Sequence, residues 1–508
     1  MTMLTRSLDG LSDDDLDELT GRIRGGERVF VELRPGDRAA ALLAGAEAVE
    51  VEPLTEWFIT LADRPEAARL EREVPLHSGL RHLRPIDGEV QIVATCSVRF
   101  EHRPVLTVRR LGDGVVVGSG LDATAARAHP VIGHFIDRLL AGRDEPTIAT
   151  LGVAVVGYGP FGGMGYTHGL ACTETEGLEL VAAVDTSPER LDAARADFPD
   201  LRGYDDAKSM AADDGVDVAI IATPPVFHAP LALDLLRAGK HVVLEKPMCL
   251  TLAQADELLS MADAAGKTLT VHQSRRWDRD YLALTRAIDQ GQIGEVFNIE
   301  TFVGGFEHPC RAWHSEATVS GGAVYDWGSH HIDWILQWYG AAPRRVMSNH
   351  HTRVWHDTSN VDQLSVWMQW DDGREATFRQ SDIAAIRRPK FYVQGTEGTI
   401  EGHYRPLRNE RIEAGRGHLD GWHHHAEAPV DLRLARYESG YGITETTLPP
   451  APHPGWGFHR NLADHLLAGE PLAVDPRQSR AVVAVLEAAH ASGESGGTLI
   501  ELPDLEVP

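Results

Sequence analysis

Residues 151–162 read Leu-Gly-Val-Ala-Val-Val-Gly-Tyr-Gly-Pro-Phe-Gly. The apolar and largely β-branched run Val153–Val156 predicts a buried parallel strand. Glycines at 157, 159 and 162 then give G-x-G-x-x-G, and residues 163–173 can continue as a helix. Such a turn lets backbone N–H groups and a helix N-terminus approach a pyrophosphate. The candidate cofactor-binding residues of the turn are Gly157, Gly159, Pro160, Phe161 and Gly162.

An acidic residue, Asp185, ends the next apolar run, Leu178–Val184, about 20 residues beyond the turn. A carboxylate at the tip of a second strand can accept hydrogen bonds from both ribose hydroxyls of an adenosine. It would repel a 2′-phosphate, and the adjacent Thr186 offers no guanidinium to offset that repulsion. The pattern therefore predicts NAD rather than NADP. The alternative is that Asp185 only opens the turn before a helix that starts at Ser187.

The segment after Asp185 alternates between strand and helix patterns, which predicts a doubly wound parallel sheet over residues 150–275. The predicted elements are strand Val216–Ile221, helix Pro230–Arg237, strand His241–Leu244, helix Ala253–Ala264 and strand Thr268–Val271.

Composition limits the class of protein and its partners. A chain of 508 residues holds more than one domain. The net charge of -27 argues against nucleic acid or an anionic membrane surface as a partner. The four cysteines are far apart, so they predict neither a disulfide framework nor a thiolate zinc site. Without an apolar run of spanning length or a signal-like N-terminus, we expect a cytoplasmic protein.

Two loops follow strands at the predicted carboxyl edge of the sheet, where ligands of such sheets bind. The first, Ala222-Thr-Pro-Pro, precedes His228, which could face the pyrophosphate. The second, Glu245-Lys-Pro247, would place a lysine beside the cofactor, although by itself Lys246 could be only a surface charge. The candidate cofactor-binding residues in these loops are Thr223, Pro224, His228, Glu245 and Lys246.

A helix predicted over Ala323–Tyr339 gathers polar side chains on one face. At about 100° per residue, His330 lies within about 40° of Asp326 and Asp333 within about 20°, whereas His331 points about 140° away. The alternative is that Asp326 caps the helix and the histidines only pack.

These motifs together resemble those of the glucose-fructose oxidoreductase/inositol dehydrogenase (Gfo/Idh/MocA) family. The resemblance runs from about 150 to 502 and includes the glycine turn, Asp185, Ala222-Thr-Pro-Pro, Glu245-Lys-Pro247 and Gly321–His330. It implies a Rossmann domain over 150–275 and, over 276–508, an α/β domain whose large, mostly antiparallel sheet is open on one face. It also implies that Lys246, Asp326 and His330 lie beside a nicotinamide, and that copies assemble as homodimers or homotetramers.

The catalytic hypothesis assigns one role to each of these three residues. His330 takes the proton of a substrate hydroxyl as hydride leaves for the nicotinamide. Asp326 orients the imidazole and stabilises its cation, while Lys246 stabilises the developing alkoxide. Aromatic and hydrogen-bonding side chains suit a polyol. The candidate substrate-binding residues are Arg275, Arg276, Trp313, His314 and Trp456.

Residues 1–145 precede this fold and show their own α/β pattern. The stretches Leu11–Gly26, Leu43–Ala46 and Leu111–Gly114 resemble part of a ThuA-like (trehalose-utilisation) domain, and no nucleophile turn surrounds Cys96. We expect a partial, non-catalytic domain. Trehalose-utilisation systems pair ThuA with a Gfo/Idh/MocA enzyme that makes 3-keto sugars, which suggests oxidation at C3.

The sequence thus predicts an NAD-dependent dehydrogenase for a secondary hydroxyl of a sugar, glycoside or cyclitol. Two alternatives remain: a redox-neutral glycosidase that recycles bound NAD, and a non-catalytic NAD-binding sensor or scaffold. Residues 403–454 are rich in histidine, but their spacing does not favour a metal site, so we expect no metal and a loop that lines a sugar pocket.

Overall fold

The computed structural model divides the chain into two compact units, Met1–Ile148 and Ala149–Pro508. The structure describes residues 2–4, 8, 11–49, 57–62, 64–67, 70, 73–76, 78–98, 101–141, 149–159, 163–309, 312–404, 430–451, 455–505 and 507. Pro160, Phe161, Gly162 and most of the histidine-rich segment lie outside these residues.

The first unit contains a seven-stranded sheet in the order β1-β2-β9-β8-β7-β4-β5 and a small pair, β3-β6. Strands β1, β2 and β9 are parallel, and the remaining neighbours are antiparallel. The strands are β1 (Thr2–Leu4), β2 (Arg28–Glu32), β3 (Ala46–Val49), β4 (Trp57–Leu61), β5 (Glu73–Leu76), β6 (His82–Pro85), β7 (Gln91–Val98), β8 (Glu101–Leu111) and β9 (Gly114–Ser119). The helices are α1 (Asp13–Arg24), α2 (Arg38–Ala44), α3 (Ala123–Ala128) and α4 (Pro130–Ala141).

Local signals explain several of these elements. Ser12 and Asp15 form a capping box at the start of α1, which satisfies two backbone N–H groups of its first turn.

Cys96 is fully buried, and burial raises the pKa of its thiol to about 11. That side chain is therefore an unreactive core residue. The resemblance of this unit to ThuA remains a prediction.

The second unit begins with the predicted doubly wound sheet. Six parallel strands follow the order β12-β11-β10-β13-β14-β15. The strands are β10 (Leu151–Val156), β11 (Leu178–Val184), β12 (Arg202–Tyr204), β13 (Val218–Ile221), β14 (His241–Leu244) and β15 (Leu269–Val271). The helices are α5 (Met164–Thr173), α6 (Pro188–Asp197), α7 (Ala207–Ala211), α8 (His228–Arg237) and α9 (Leu252–Ala265).

A nine-stranded sheet follows in the order β23-β22-β21-β20-β16-β19-β18-β17-β24, antiparallel except for the parallel pair β16–β19. The strands are β16 (Val296–Gly304), β17 (Arg345–His351), β18 (Gln363–Gln369), β19 (Glu375–Ser381), β20 (Phe391–Gly395), β21 (Gly398–His403), β22 (Asp431–Glu438), β23 (Gly442–Leu448) and β24 (Ile500–Glu501). The helices are α10 (Arg279–Asp289), α11 (Ala317–Ser320), α12 (Ala323–Asp326), α13 (Gly328–Tyr339), α14 (Gly457–Ala468) and α15 (Pro476–Glu494).

One face of the nine-stranded sheet is buried and the other is more exposed, as the alternating burial along β18 shows. Helix α13 covers the buried face, where Trp334 is 1% exposed. The last two helices, α14 and α15, pack against the six-stranded parallel sheet. Phe458, Leu462 and Val483 belong to the hydrophobic core of that sheet. The boundary between 150–275 and 276–508 remains a proposal. No helix in the described part of the chain is long and apolar enough to cross a membrane.

Candidate active site

The glycine turn lies at the carboxyl end of β10 and has no room for larger residues at its first position. Gly157 has φ 99°, and a Cβ there would lie 2.9 Å from the carbonyl oxygen of Ala222. The hydroxyl of Thr223 is buried beside this turn and has no hydrogen-bond partner among the described residues. These features fit a dinucleotide, since the backbone can approach a phosphate closely and Thr223 retains a donor. Pro224 follows in the same loop.

Asp185 lies at the tip of β11, but its carboxylate is turned into the protein. It is 6% exposed and accepts hydrogen bonds from the backbone N–H groups of Tyr158 and Ser187, both at 2.9 Å. The Nη1 atom of Arg190 lies 3.6 Å from the Asp185 carboxylate and 3.6 Å from the position of a Cβ on Gly159. Thr186 offers no guanidinium, as the sequence predicted, but Arg190 of helix α6 brings one beside Asp185.

His228 does not face the pyrophosphate, and that prediction is corrected. The side chain is fully buried, and its two ring nitrogens are hydrogen-bonded to the carbonyl oxygens of Pro247 and Thr223, each at 2.8 Å. Burial lowers the pKa of His228, whereas the two carbonyl acceptors act in the opposite direction by favouring the protonated ring. Through these two hydrogen bonds, His228 connects the loop that contains Thr223 with the loop that contains Pro247.

Glu245 also points away from the predicted cofactor position. Its Oε1 atom is hydrogen-bonded to His168 at 3.0 Å and to His272 at 2.7 Å, while His168 is bonded to His459 at 2.9 Å. Burial alone would raise the pKa of Glu245, but the imidazoles of His272 and His168 outweigh it and hold that pKa well below its ordinary value. Glu245 Oε2 accepts the backbone N–H of Lys246, so Glu245 is a positioning residue.

The three histidines of this cluster also have ligand atoms within 4.8 Å of one another. The predicted absence of a metal rested on the spacing of the cysteines and of the later histidine run, and His168, His272 and His459 were not part of it. In the structure the cluster is a continuous hydrogen-bonded chain, His459–His168–Glu245–His272, which already uses the ring nitrogens that face each other.

Lys246 and Asp326 meet although 80 positions separate them. The Lys246 Nζ atom lies 2.7 Å from Asp326 Oδ1 and 3.3 Å from the Asp326 carbonyl oxygen. Burial would raise the pKa of Asp326, but the Lys246 charge dominates and the pKa is lowered. Both side chains are partly exposed, at 22% and 32%, so the pair remains accessible to a ligand.

His330 lies in the first turn of α13, four positions after Asp326, and is 4% exposed. Burial, together with the charges of Lys246 and Arg275, holds the pKa of His330 well below its ordinary value. Its Nδ1 atom has no hydrogen-bond partner among the described residues. The prediction that Asp326 orients His330 is corrected, because the structure shows Asp326 bonded to Lys246.

Of the candidate substrate residues, Arg275, Trp313 and His314 lie near this pair. The Arg275 guanidinium lies 4.9 Å from the ring centre of Trp327. The rings of Trp313 and His314 stack at 3.6 Å. Burial lowers the pKa of His314, with opposing contributions from Asp326 and Lys246 that show its proximity to them.

Arg276 and Trp456 do not belong to this group, and both predictions are corrected. Arg276 forms a two-point ion pair with Asp333 at 2.7 and 2.8 Å, and only 1% of Asp333 is exposed. Trp456 Nε1 donates to Glu174, just past the end of α5. Because α5 has 10 residues, that end lies about 15 Å from the glycine turn.

Sequence reasoning missed Arg190, although a guanidinium in the first turn after the acidic residue is a usable signal. It also missed His168, His272 and His459, whose contacts join positions up to 291 residues apart. No local pattern predicts such contacts.

The buried histidines make stability depend on pH. The pKa values of His168, His228, His330, His331 and His459 are all lowered, chiefly by burial. The unfolded chain binds protons at these rings below about pH 6.5, whereas the folded chain does not. We therefore expect the melting temperature of the second unit to fall as the pH decreases from 7 to 5. A constant value would contradict this, and the exposed His403→Gln variant should retain the wild-type slope.

Comparison with known proteins identifies relatives of the second unit. Residues 151–273 match the oxidoreductase family with an NAD-binding Rossmann fold, and residues 281–401 match the GFO/IDH/MocA C-terminal domain. The chain is 25% identical to scyllo-inositol 2-dehydrogenase (NADP(+)) of Bacillus subtilis, over 71% of this chain and 98% of that protein. It is 27% identical to 1,5-anhydro-D-fructose reductase of Ensifer adhaerens, over 44% and 68%. An NAD-binding protein from Listeria innocua has a similar structure, with TM-score 0.58, 27% identity, and coverage of 69% and 97%.

Proposed function

The chain belongs to the Gfo/Idh/MocA family of oxidoreductases, and from this membership we propose that it transfers a hydride between a secondary hydroxyl of a sugar, glycoside or cyclitol and a nicotinamide dinucleotide. The observation that carries the proposal is the meeting of Lys246 and Asp326 at 2.7 Å beside the buried imidazole of His330. Two remote segments thus bring a cation, a carboxylate and a neutral base together. The resemblance of residues 1–145 to ThuA supports C3 of a glycoside as the first carbon to test.

Each side chain has a separate task in the proposed reaction. The nicotinamide, when bound, supplies the carbon that accepts or gives the hydride. The Lys246 ammonium donates a hydrogen bond to the substrate oxygen and stabilises alkoxide charge as it develops. Asp326 holds that ammonium in place. His330 is neutral at and below neutral pH, so its imidazole can accept the hydroxyl proton.

The residues near the glycine turn fit a dinucleotide, and we propose NAD as the preferred form. Asp185 follows β11, where the family pattern predicts the ribose, and its negative charge disfavours a 2′-phosphate. Arg190 acts in the opposite direction, because its guanidinium is 48% exposed and can bind a phosphate. NADP binding is thus weakened rather than excluded.

Two variants test this cofactor preference. Asp185→Ala should weaken NAD binding by about tenfold, since a charge-assisted hydrogen bond contributes about 1.5–3 kcal/mol, and should narrow the difference between NAD and NADP. Arg190→Ala should weaken NADP more than NAD. Titration of protein fluorescence with each dinucleotide measures both effects. Arg195→Ala, on the same helix and similarly exposed, is the control, and an unaltered preference in Asp185→Ala would remove that residue from the site.

A direct test of the proposed function is NADH absorbance in the presence of NAD and a panel of glycosides, inositols and free sugars. A steady rise in the absorbance of reduced nicotinamide at about 340 nm supports a dehydrogenase. Aglycone release without NADH would instead indicate a redox-neutral glycosidase. Absence of both with a bound dinucleotide would indicate a sensor.

We also propose that copies associate through the exposed face of the nine-stranded sheet as homodimers or homotetramers.

A further inference from the structure

Among the buried polar atoms for which the described residues supply no hydrogen-bond partner, four belong to residues near the proposed site. They are Gln273 Oε1, His330 Nδ1, Asn360 Oδ1 and Gln380 Oε1, and each residue is at most 9% exposed. Three of these atoms are amide oxygens, which only accept hydrogen bonds. Because buried polar groups are nearly always hydrogen-bonded, a ligand that offers several O–H donors is the expected partner.

Two of these residues are bonded through their amide nitrogens to backbone carbonyl oxygens, one next to His330 and one of His314. Gln273 donates to the carbonyl oxygen of Ser329 at 3.2 Å, one residue before His330. Asn360 donates to the carbonyl oxygen of His314, and its oxygen lies 3.9 Å from the position of a Cβ on Gly322, just before α12.

Gln380 reaches the same region along β19, which runs antiparallel to α13. Tyr339 at the end of α13 donates to the carbonyl oxygen of Glu375 at the start of β19. Nearer the start of the helix, the His331 ring lies 4.9 Å from the Phe378 ring. The strand therefore advances toward the first turn of the helix, and Gln380 and the following Asp382 extend beyond Phe378 toward Asp326.

Asp382 adds a carboxyl group at this end of the strand. Its backbone is held on three sides, by the Asp362 carbonyl at 2.8 Å, the Trp355 indole at 3.1 Å and the Glu307 N–H at 3.2 Å. Burial, and then the charge of Asp326, raise the pKa of Asp382 to about 7, with smaller contributions from Glu307 and Asp362 and an opposing hydrogen bond from Gln380. The group is thus close enough to Asp326 to sense its charge.

We propose that Asn360, Gln380 and Asp382 form a wall that binds the substrate hydroxyls that are not oxidised, and that Asp382 restricts the enzyme to uncharged polyols. The inference rests on the proposed function and specifies its substrate class. An ionised sugar acid or sugar phosphate would bring oxygens that only accept toward the amide oxygens, which also only accept, and toward the Asp382 carboxyl group, which is increasingly ionised above about pH 7. At that position such a ligand offers no hydrogen-bond donor to the acceptors of the wall, and it adds repulsion between like charges.

The test compares the neutral glycoside of the panel that reacts fastest with its uronic-acid counterpart, in which a carboxylate replaces the CH₂OH group. We expect kcat/KM of the wild-type enzyme to favour the neutral compound by at least about 100-fold, because the site was built around hydroxyl donors. Asp382→Asn should reduce this preference at least tenfold by raising the rate with the uronic acid. Asp371→Asn removes the same charge from an exposed position and should retain the wild-type ratio.

The pH dependence supplies a second measurement that does not depend on the folding of a variant. As Asp382 ionises near pH 7, KM for the uronic acid should rise between pH 6 and pH 8 more steeply than KM for the neutral glycoside. Equal use of both compounds by the wild type, or an unchanged ratio in Asp382→Asn, would overturn the inference while leaving the dehydrogenase intact. Failure of every polyol to reduce a bound dinucleotide would instead overturn the proposed function.

Discussion

Replacing Lys246 by Met is expected to lower kcat/KM by about 10³-fold, the upper range for loss of a single donor to a developing oxyanion. The Lys246 Nζ atom is the cation held at 2.7 Å by Asp326, and methionine retains the length of the side chain without the charge. We expect the dissociation constant of the dinucleotide to change less than about threefold, because the proposed contact is to the substrate oxygen. Steady-state kinetics and a fluorescence titration measure the two quantities.

The exposed Lys208 provides the matched control, and Lys208→Met should behave as the wild type. A loss below tenfold in Lys246→Met would show that this ammonium does not stabilise the reacting oxygen. Equal weakening of turnover and dinucleotide binding would place Lys246 in the cofactor site instead.

Replacing His330 by Ala is expected to lower turnover by at least about 10²-fold, the lower end of general-base contributions, with dinucleotide affinity nearly unchanged. The lowered pKa of His330 keeps the imidazole neutral, so the wild-type rate should not fall between pH 8 and pH 6 through protonation of this ring. Turnover of wild type and variant across this pH range measures both effects.

His331, the adjacent residue of the same helix, is the control for His330. It is 1% exposed and packs against Phe378 and Trp334, so His331→Phe should retain turnover if it retains the melting temperature. If His330→Ala lost turnover and dinucleotide binding equally, its role would be structural.

Sequence patterns were sufficient for the parts of the fold that depend on short-range order. The alternation of strands and helices after Val156 predicted the doubly wound sheet, and strand His241–Leu244 has the predicted bounds. The spacing of Asp326 and His330 predicted one helix with a shared face, whereas the structure places them in the successive helices α12 and α13, on either side of Trp327. The mostly antiparallel pairing of the second sheet was implied by family resemblance, and its strand order was not predicted, because strand order is not encoded locally.

The direction of individual side chains could not be predicted in the same way. Glu245 stands next to Lys246 in the sequence, yet it turns toward His168 and His272, whose positions depend on α5 and β15. Arg276 follows Arg275 in the sequence, but its guanidinium is buried because it forms an ion pair with the buried Asp333. In each case a partner remote in sequence decides where the charged group is most stable, since a buried charge requires a partner.

The most direct test of the central claim is a quenched single turnover with a polyol that carries deuterium on the carbinol carbon, with enzyme in excess and NAD bound. We predict that mass spectrometry finds reduced nicotinamide with one deuterium, formed in the same amount as the ketone. A bound dinucleotide that acquires no deuterium from any polyol of the panel would contradict hydride transfer at the Lys246–Asp326–His330 site.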